Sequence, residues 1–190
     1  MRPCLITSFE PFTTRKGLVL THNPTQEITT WIDQNRSNIA TAVLPVAFAA
    51  TKTRLTRLFD EIAPEIWIGL GYAPHREHID VETIALNIEH AVRPDNAGDK
   101  AQLRPIIDGA PLAYNAPFNA AQLVSHLRNQ GLDAQLSFHA GTFMCNQVLY
   151  LGSHQQAGGK SIQQAGFVHI PPGLSPAVLG AALSSWVDTL

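Results

Sequence analysis

The chain has 190 residues, 45% of them hydrophobic and 15% charged, and a formal net charge of −2 with its eight histidines counted neutral. That is enough apolar material for one sizeable core and too little charge for a disordered chain, and no basic run marks a nucleic-acid surface. Apolar stretches are interrupted well short of a membrane span, and two cysteines cannot build a disulfide framework, so one domain over residues 1–190 in a reducing cytoplasm is expected.

Residues 4–9 read as a short buried strand. Glu10-Pro11-Phe12 ends it, because Pro11 cannot continue a central ladder. Phe9 and Phe12 flank that turn and suit either core packing or the walls of an apolar pocket. Residues 13–23 form a polar loop. Asn23 and Pro24 then open a helix as N-cap and first-turn proline, with Ile28, Trp31 and Ile32 at helical spacing. A second strand covers residues 39–45. The next helix covers residues 47–62, with Leu55, Leu58, Phe59 and Ile62 on one face and Pro64 just beyond its end. Residues 65–71 are a continuous apolar run ending in glycines, the pattern of a central strand covered on both faces.

Residues 79–87 alternate polar and apolar, as in a half-exposed strand. Residues 92–109 are rich in turn signals, Pro94-Asp95-Asn96 and Asp108-Gly109 among them. A helix over 119–130 buries Ala121, Leu123, Val124 and Leu127, and Gly131 is placed to cap it. A strand over 134–138, a helix over about 146–154, a Gln/Gly-rich loop, a strand over 165–170 stopped by Pro171 and Pro172, and a last helix over 177–188 complete the chain. Strands alternating with helices predict a three-layer α/β/α sandwich around a mixed, mostly parallel sheet, with any ligand beyond the carboxyl ends of the strands.

The stretch from His139 to Gln147 is where chemistry concentrates. A small-residue turn between a strand and a helix points the first helical side chain, Cys145, into a cleft. The unsatisfied N–H groups and partial positive charge of a helix N-terminus favour a thiolate, and the same N–H groups suit an oxyanion. The competing reading is an inert buried cysteine. His169 closes a short buried strand and is the candidate base, unless it is a satisfied structural histidine. Glu82 is the carboxylate best placed to orient that imidazole, unless it is an ordinary surface acid. His75-Arg76-Glu77-His78 is a weak metal pair and reads as a polar loop. Gly69-Leu70-Gly71 lacks the third glycine of a dinucleotide fingerprint.

Five motifs in order give the chain a resemblance, over nearly its whole length, to the pyroglutamyl peptidase I family of cysteine peptidases. These are Phe9-Glu10-Pro11-Phe12 followed by Asn23-Pro24-Thr25, then Val81 to Asn87, Pro94-Asp95-Asn96-Ala97-Gly98, Ala140 to Asn146, and Gly166 to Pro171. The resemblance implies that Cys145 is the nucleophile, His169 the general base and acid, and Glu82 the orienting carboxylate. It implies removal of an N-terminal pyroglutamyl residue from a peptide. The lactam ring would enter a slot walled by Phe9, Phe12 and Phe143, with Tyr72 at its edge. It implies no metal or organic cofactor and a homo-oligomer, a tetramer as is common in the family, while composition and hydropathy point to no nucleic-acid or membrane partner. Ser8, Thr13, Thr14, Tyr72 and Thr83 stand where the family has Gly, Gly, Gly, Gln and Arg, and Arg93 is displaced by one position from the family's arginine. These departures leave open a thiol hydrolase of shifted acyl specificity, or a ligand-binding protein that kept the triad by descent.

Overall fold

The computed structural model describes residues 2–14, 17–116 and 118–190. Met1, and Arg15 and Lys16 of the expected polar loop, lie outside the described residues. Strand β1 (Cys4–Phe9) is wholly buried and pairs in parallel with β2 (Ile39–Leu44) on one side and β3 (Ile66–Tyr72) on the other. Strand β8 (Gln164–Ile170) runs parallel to β3. Strand β4 (Ile79–Glu82) pairs antiparallel with β8, and β7 (Ala134–Ser137) lies parallel to β4 at the far edge. The six-stranded order is β2-β1-β3-β8-β4-β7, a mixed and mostly parallel sheet as the sequence pattern predicts.

Helices cover both faces because each central strand is apolar on both sides. Helices α1 (Pro24–Asn35), α3 (Ala120–Asn129) and α5 (Pro176–Val187) pack against Ile6, Ile68, Leu70, Val81, Val168 and Ile170. Helices α2 (Phe48–Ile62) and α4 (Met144–Ala157) pack on the opposite face against Leu5, Trp67 and Phe167. Each fully buried Leu or Ile in these clusters contributes about 1.5–3 kcal/mol relative to exposure.

One expectation fails. Residues 79–87 are not a single half-exposed strand. All four residues of β4 are buried. The chain breaks at Thr83, whose N–H and hydroxyl both donate to the Ser137 carbonyl at 2.8 and 2.9 Å. Strand β5 (Ile84–Leu86) then leaves the main sheet and pairs antiparallel with β6 (Ala113–Asn115). The polar face of the alternation, Asp80 and Glu82, turns inward beneath α4 instead of toward water. Smaller shifts concern helix and strand ends. Helix α4 begins at Met144, so Cys145 is its second residue, and β7 stops at Ser137.

The caps show how separate motifs hold one another. Asn23 caps α1 by accepting from the Thr25 N–H at 3.1 Å, with Pro24 at the first turn, as read from the sequence. Gly131, just past α3, adopts the left-handed conformation (φ 77°) suited to ending a helix. Helix α2 has no capping side chain of its own. Asp95 supplies one from a distant loop: one carboxylate oxygen accepts from the Phe48 N–H at 2.8 Å, the other from the N–H groups of Ala97 and Asp99 at 2.9 Å each. Beside it, Glu10 accepts from the Val46 N–H at 2.9 Å and from the Asn96 amide at 2.8 Å. The Pro94-Asp95-Asn96 turn thus ties the end of β1 to the start of α2. Asp95→Ala is expected to lower the unfolding free energy by about 1–2 kcal/mol, read by urea denaturation, because it strands buried N–H groups. An unchanged midpoint would show that water replaces the cap without cost.

Candidate active site

Strand alternation decides which side chains meet. In β3, Ile66, Ile68 and Leu70 face α1 and α5 while Trp67 faces α4, so Gly69 and Gly71 share the α4 face. In β8, Val168 and Ile170 face one way, and Ala165, Phe167 and therefore His169 face the other. In β4, Ile79 and Val81 point away from α4 and Asp80 and Glu82 toward it. Three strands thus present Gly71, His169 and Glu82 to one side of the sheet, and the first turn of α4 lies over them. Gly71 pairs with His169 in the β3–β8 ladder. A Cβ at Gly71 would stand 2.9 Å from the Cys145 Sγ and 2.7 Å from the Phe167 ring. The thiol is therefore seated directly on the glycine backbone, one strand away from the imidazole. No side chain larger than hydrogen fits at Gly71 without moving it.

His169 is buried, and its Nδ1 lies 2.7 Å from Glu82 Oε1. With Glu82 ionised, Nδ1 carries the proton and donates it in this bond, which leaves the Nε2 lone pair free. Burial pulls the imidazole below its ordinary value of 6.5, and the bond to Glu82 opposes that pull. His169 therefore rests neutral at pH 7.

Cys145 is partly accessible, unlike Cys4, and both are free thiols. Burial pushes the Cys145 thiol up to about 12 and the Glu82 carboxylate adds to the rise, while Arg76 and the residue's own backbone N–H oppose it. Desolvation thus opposes the help that a helix N-terminus gives a thiolate. The N-terminus of α4 carries no capping side chain, so its first N–H groups remain available to an oxyanion.

Arg76, read from the sequence as part of a polar loop, also reaches this site. One guanidinium nitrogen lies 2.6 Å from Asp80 Oδ2, 2.9 Å from Glu82 Oε1 and 3.2 Å from Ser137 Oγ. The other donates to the His139 carbonyl at 3.0 Å. Asp80 and Glu82 lie two residues apart on one strand face, and once the structure shows both carboxylates buried side by side, a cation is required. The remaining histidine of that loop pair, His78, bonds the exposed Asp133 at 2.8 Å.

Phe9, Phe12 and Phe143 all join the hydrophobic cluster on the Cys145 face. Phe9 is buried, Phe12 and Phe143 are half-buried at its margin, and the Phe143 ring meets Phe48 edge-on with centroids 5.2 Å apart. Tyr72 is placed differently. As the last residue of β3 it shares the register of Ile68 and Leu70, on the face away from Cys145. Ser8 is on that far face too, bonded to Thr29 of α1 at 2.9 Å. Thr14 accepts from the Leu18 N–H at 3.1 Å within its own loop.

A cysteine in the first turn of a helix, with a carboxylate-backed imidazole on a neighbouring strand, is the constellation of a thiol hydrolase. The chain belongs to the pyroglutamyl peptidase family, whose profile matches residues 2–181. It is 37% identical over 170 residues to the pyrrolidone-carboxylate peptidase of Pyrococcus furiosus, covering 88% of this chain and 79% of that one. It is 38% identical over 174 residues to the enzyme of the same name from Thermococcus litoralis, covering 90% and 77%. The solved pyrrolidone carboxyl peptidase of Pyrococcus furiosus superposes with a TM-score of 0.88 at 32% identity, over 98% of this chain and 96% of that one. That of Thermococcus litoralis gives 0.87 at 32%, over 99% and 92%.

Gly71→Ala is expected to slow alkylation of Cys145 by iodoacetamide at least about tenfold, by displacing Sγ from the glycine floor and the helix N-terminus. Mass-spectrometric labelling rates, with Cys4 as the buried internal reference, read this out. Equal rates in the two proteins would show that the close approach at Gly71 does not position the thiol.

Proposed function

We propose that the chain is a cysteine peptidase that removes an N-terminal pyroglutamyl residue from peptides, with Cys145 as nucleophile, His169 as general base and acid, and Glu82 as the orienting carboxylate. The observation that carries this reading is the Glu82–His169 bond on the strand beside Gly71, on which the thiol rests. The bond fixes the tautomer, so Nε2 is the atom able to accept the thiol proton. Because thiol and imidazole both rest neutral, proton transfer accompanies attack on the pyroglutamyl carbonyl rather than preceding it. The N–H groups at the start of α4 stabilise the oxyanion. The imidazolium then protonates the leaving amine, giving a thioester and a shortened peptide, and a water deprotonated by His169 hydrolyses the thioester.

Phe9, Phe12 and Phe143 line the slot for the lactam, and Tyr72 stands outside it on the opposite face of the sheet. The departures at Ser8 and Tyr72 therefore leave the catalytic face intact, which favours the peptidase over a ligand-binding protein. We further infer that residues 1–190 act as one catalytic domain in the cytoplasm and assemble into a homo-oligomer, a tetramer by family resemblance. Among the described residues no helix is long and apolar enough to cross a membrane.

Turnover of a pyroglutamyl chromogenic amide, compared with other aminoacyl amides and thioesters, tests the reading. Cys145→Ala and His169→Ala are each expected to cut kcat at least about 10³-fold with the fold retained. Full activity in either variant would end the triad assignment, and cleavage of a different acyl group alone would end the pyroglutamyl one. The pH profile has a definite sign. Burial lowers the His169 pKa, so the base stays neutral as pH falls through 6.5 and is lost only below it. The acid limb of kcat/KM is expected below 6.5, and a limb above that value would contradict a desolvated His169 as base.

A further inference from the structure

We propose that Arg76 is a positioning residue for this reaction, holding Glu82 as a carboxylate beneath His169 and tying it to the turn that leads into Cys145. The inference rests on the triad reading above. Arg76 reaches four groups on three parts of the fold: Asp80 and Glu82 on β4, Ser137 at the end of β7, and the His139 carbonyl at the start of the 139–142 turn. Those last two contacts fix where the chain leaves the sheet just before α4, and so where the first turn of α4 sits. The same guanidinium therefore places the carboxylate that orients the base and the backbone that carries the thiol.

Charge makes the arrangement necessary. Glu82 is fully buried, and its second oxygen, Oε2, has no hydrogen-bond partner. Oε1 bonds His169 Nδ1 at 2.7 Å and forms an ion pair with Arg76 Nη1 at 2.9 Å. Asp80, also buried, stands beside it and is otherwise held by the Gln135 amide at 2.8 Å. The charged and titratable groups facing this point are Asp80 and Glu82 from β4, His169 from β8, Cys145 from α4, and Arg76 itself. The nearby His139 ring is engaged locally, its Nδ1 accepting from the Gly141 N–H at 3.0 Å. Arg76 is the one cation among them. Without it, two adjacent buried carboxylates face one imidazole with no cation to hold them, and Glu82 loses the contact that keeps Oε1 beneath Nδ1.

The test is a set of kcat and KM profiles from about pH 5 to 9 on the pyroglutamyl amide, for the unaltered protein and for R76Q, R76K and E82Q. For R76Q, kcat is expected to fall at least about tenfold with KM within about threefold, and the acid limb to move up by about one pH unit. The upward sign follows because the Arg76 charge lowers the His169 pKa, so removing it raises that pKa. R76K keeps the charge but not the planar fork, so it is expected to restore the limb to within about half a unit while recovering only part of kcat. Folded R76Q with an unshifted limb overturns the proposal, since a merely structural loss lowers the rate at all pH values alike. Should R76Q fail to fold, R76K carries the test alone, and an unaltered kcat there overturns the proposal because the planar fork would then hold nothing that a lysine cannot. Loss of activity in E82Q together with an unaltered R76Q removes Arg76 alone and leaves the triad standing. Full activity in E82Q overturns both.

Discussion

One carboxylate oxygen, Oε1 of Glu82, bonds His169 and pairs in charge with Arg76 in a place that solvent does not reach. Burying an unpaired carboxylate costs several kcal/mol, so the site exists only where both partners are delivered together. That requirement constrains much of the fold. Strand β4 must run antiparallel to β8 with Asp80 opposite His169 and Glu82 opposite Phe167. A one-residue slip would turn both acids to the opposite face, among Ile79 and Val81 and their helices. The loop from β3 to β4 must bring Arg76 back over the same face. Strand β7, parallel to β4, must end at Ser137 so that its last residues meet that guanidinium.

The same dry environment sets how the proposed nucleophile works. A helix N-terminus contributes roughly 0.3–1 kcal/mol to a nearby charge, up to about 2 in partly buried geometry. Desolvation of the Cys145 thiol exceeds that and leaves it protonated, pushed up to about 12. On the proposed mechanism the two partners start neutral, and their charges appear only as the substrate carbonyl is attacked, when the α4 N–H groups and the Glu82 carboxylate each meet the charge they complement. Interactions that strengthen only at that moment raise kcat rather than tighten substrate binding.

The sandwich and the candidate site were legible for different reasons. Apolar runs such as residues 66–70 announce central strands, and small-residue turns announce strand–helix junctions. Cys145, His169 and Glu82 stood out because each reactive type sat at the end of such an element. The fate of residues 79–87 was not legible, because alternation reads the same whether its polar face meets water or a catalytic cleft. Arg76 was hidden because its partners Ser137 and His139 lie some sixty residues away in sequence. The cap of α2 was hidden likewise, supplied by Asp95 across 47 residues. The burial that opposes a Cys145 thiolate was hidden too, because local sequence shows the helix end but not the walls around it.

Strand alternation also explains how three of this chain's departures from its family's pattern, at Ser8, Tyr72 and Thr83, leave the proposed catalytic face undisturbed. Successive side chains of a strand point to opposite faces, so neighbours in sequence are separated by the thickness of the sheet. Ser8 replaces a glycine next to Phe9, yet its hydroxyl meets Thr29 of α1 on the far side while Phe9 joins the cluster around Cys145. Tyr72 follows Gly71 by one residue and lies across the sheet from the thiol that Gly71 supports. Thr83 follows Glu82 and spends its hydroxyl on the Ser137 carbonyl, which anchors the exit of β4. Each change sits one residue from a functional position and therefore one face away from it. Gly71 has no such freedom: on the thiol's own face, one methyl group would collide with both Sγ and the Phe167 ring.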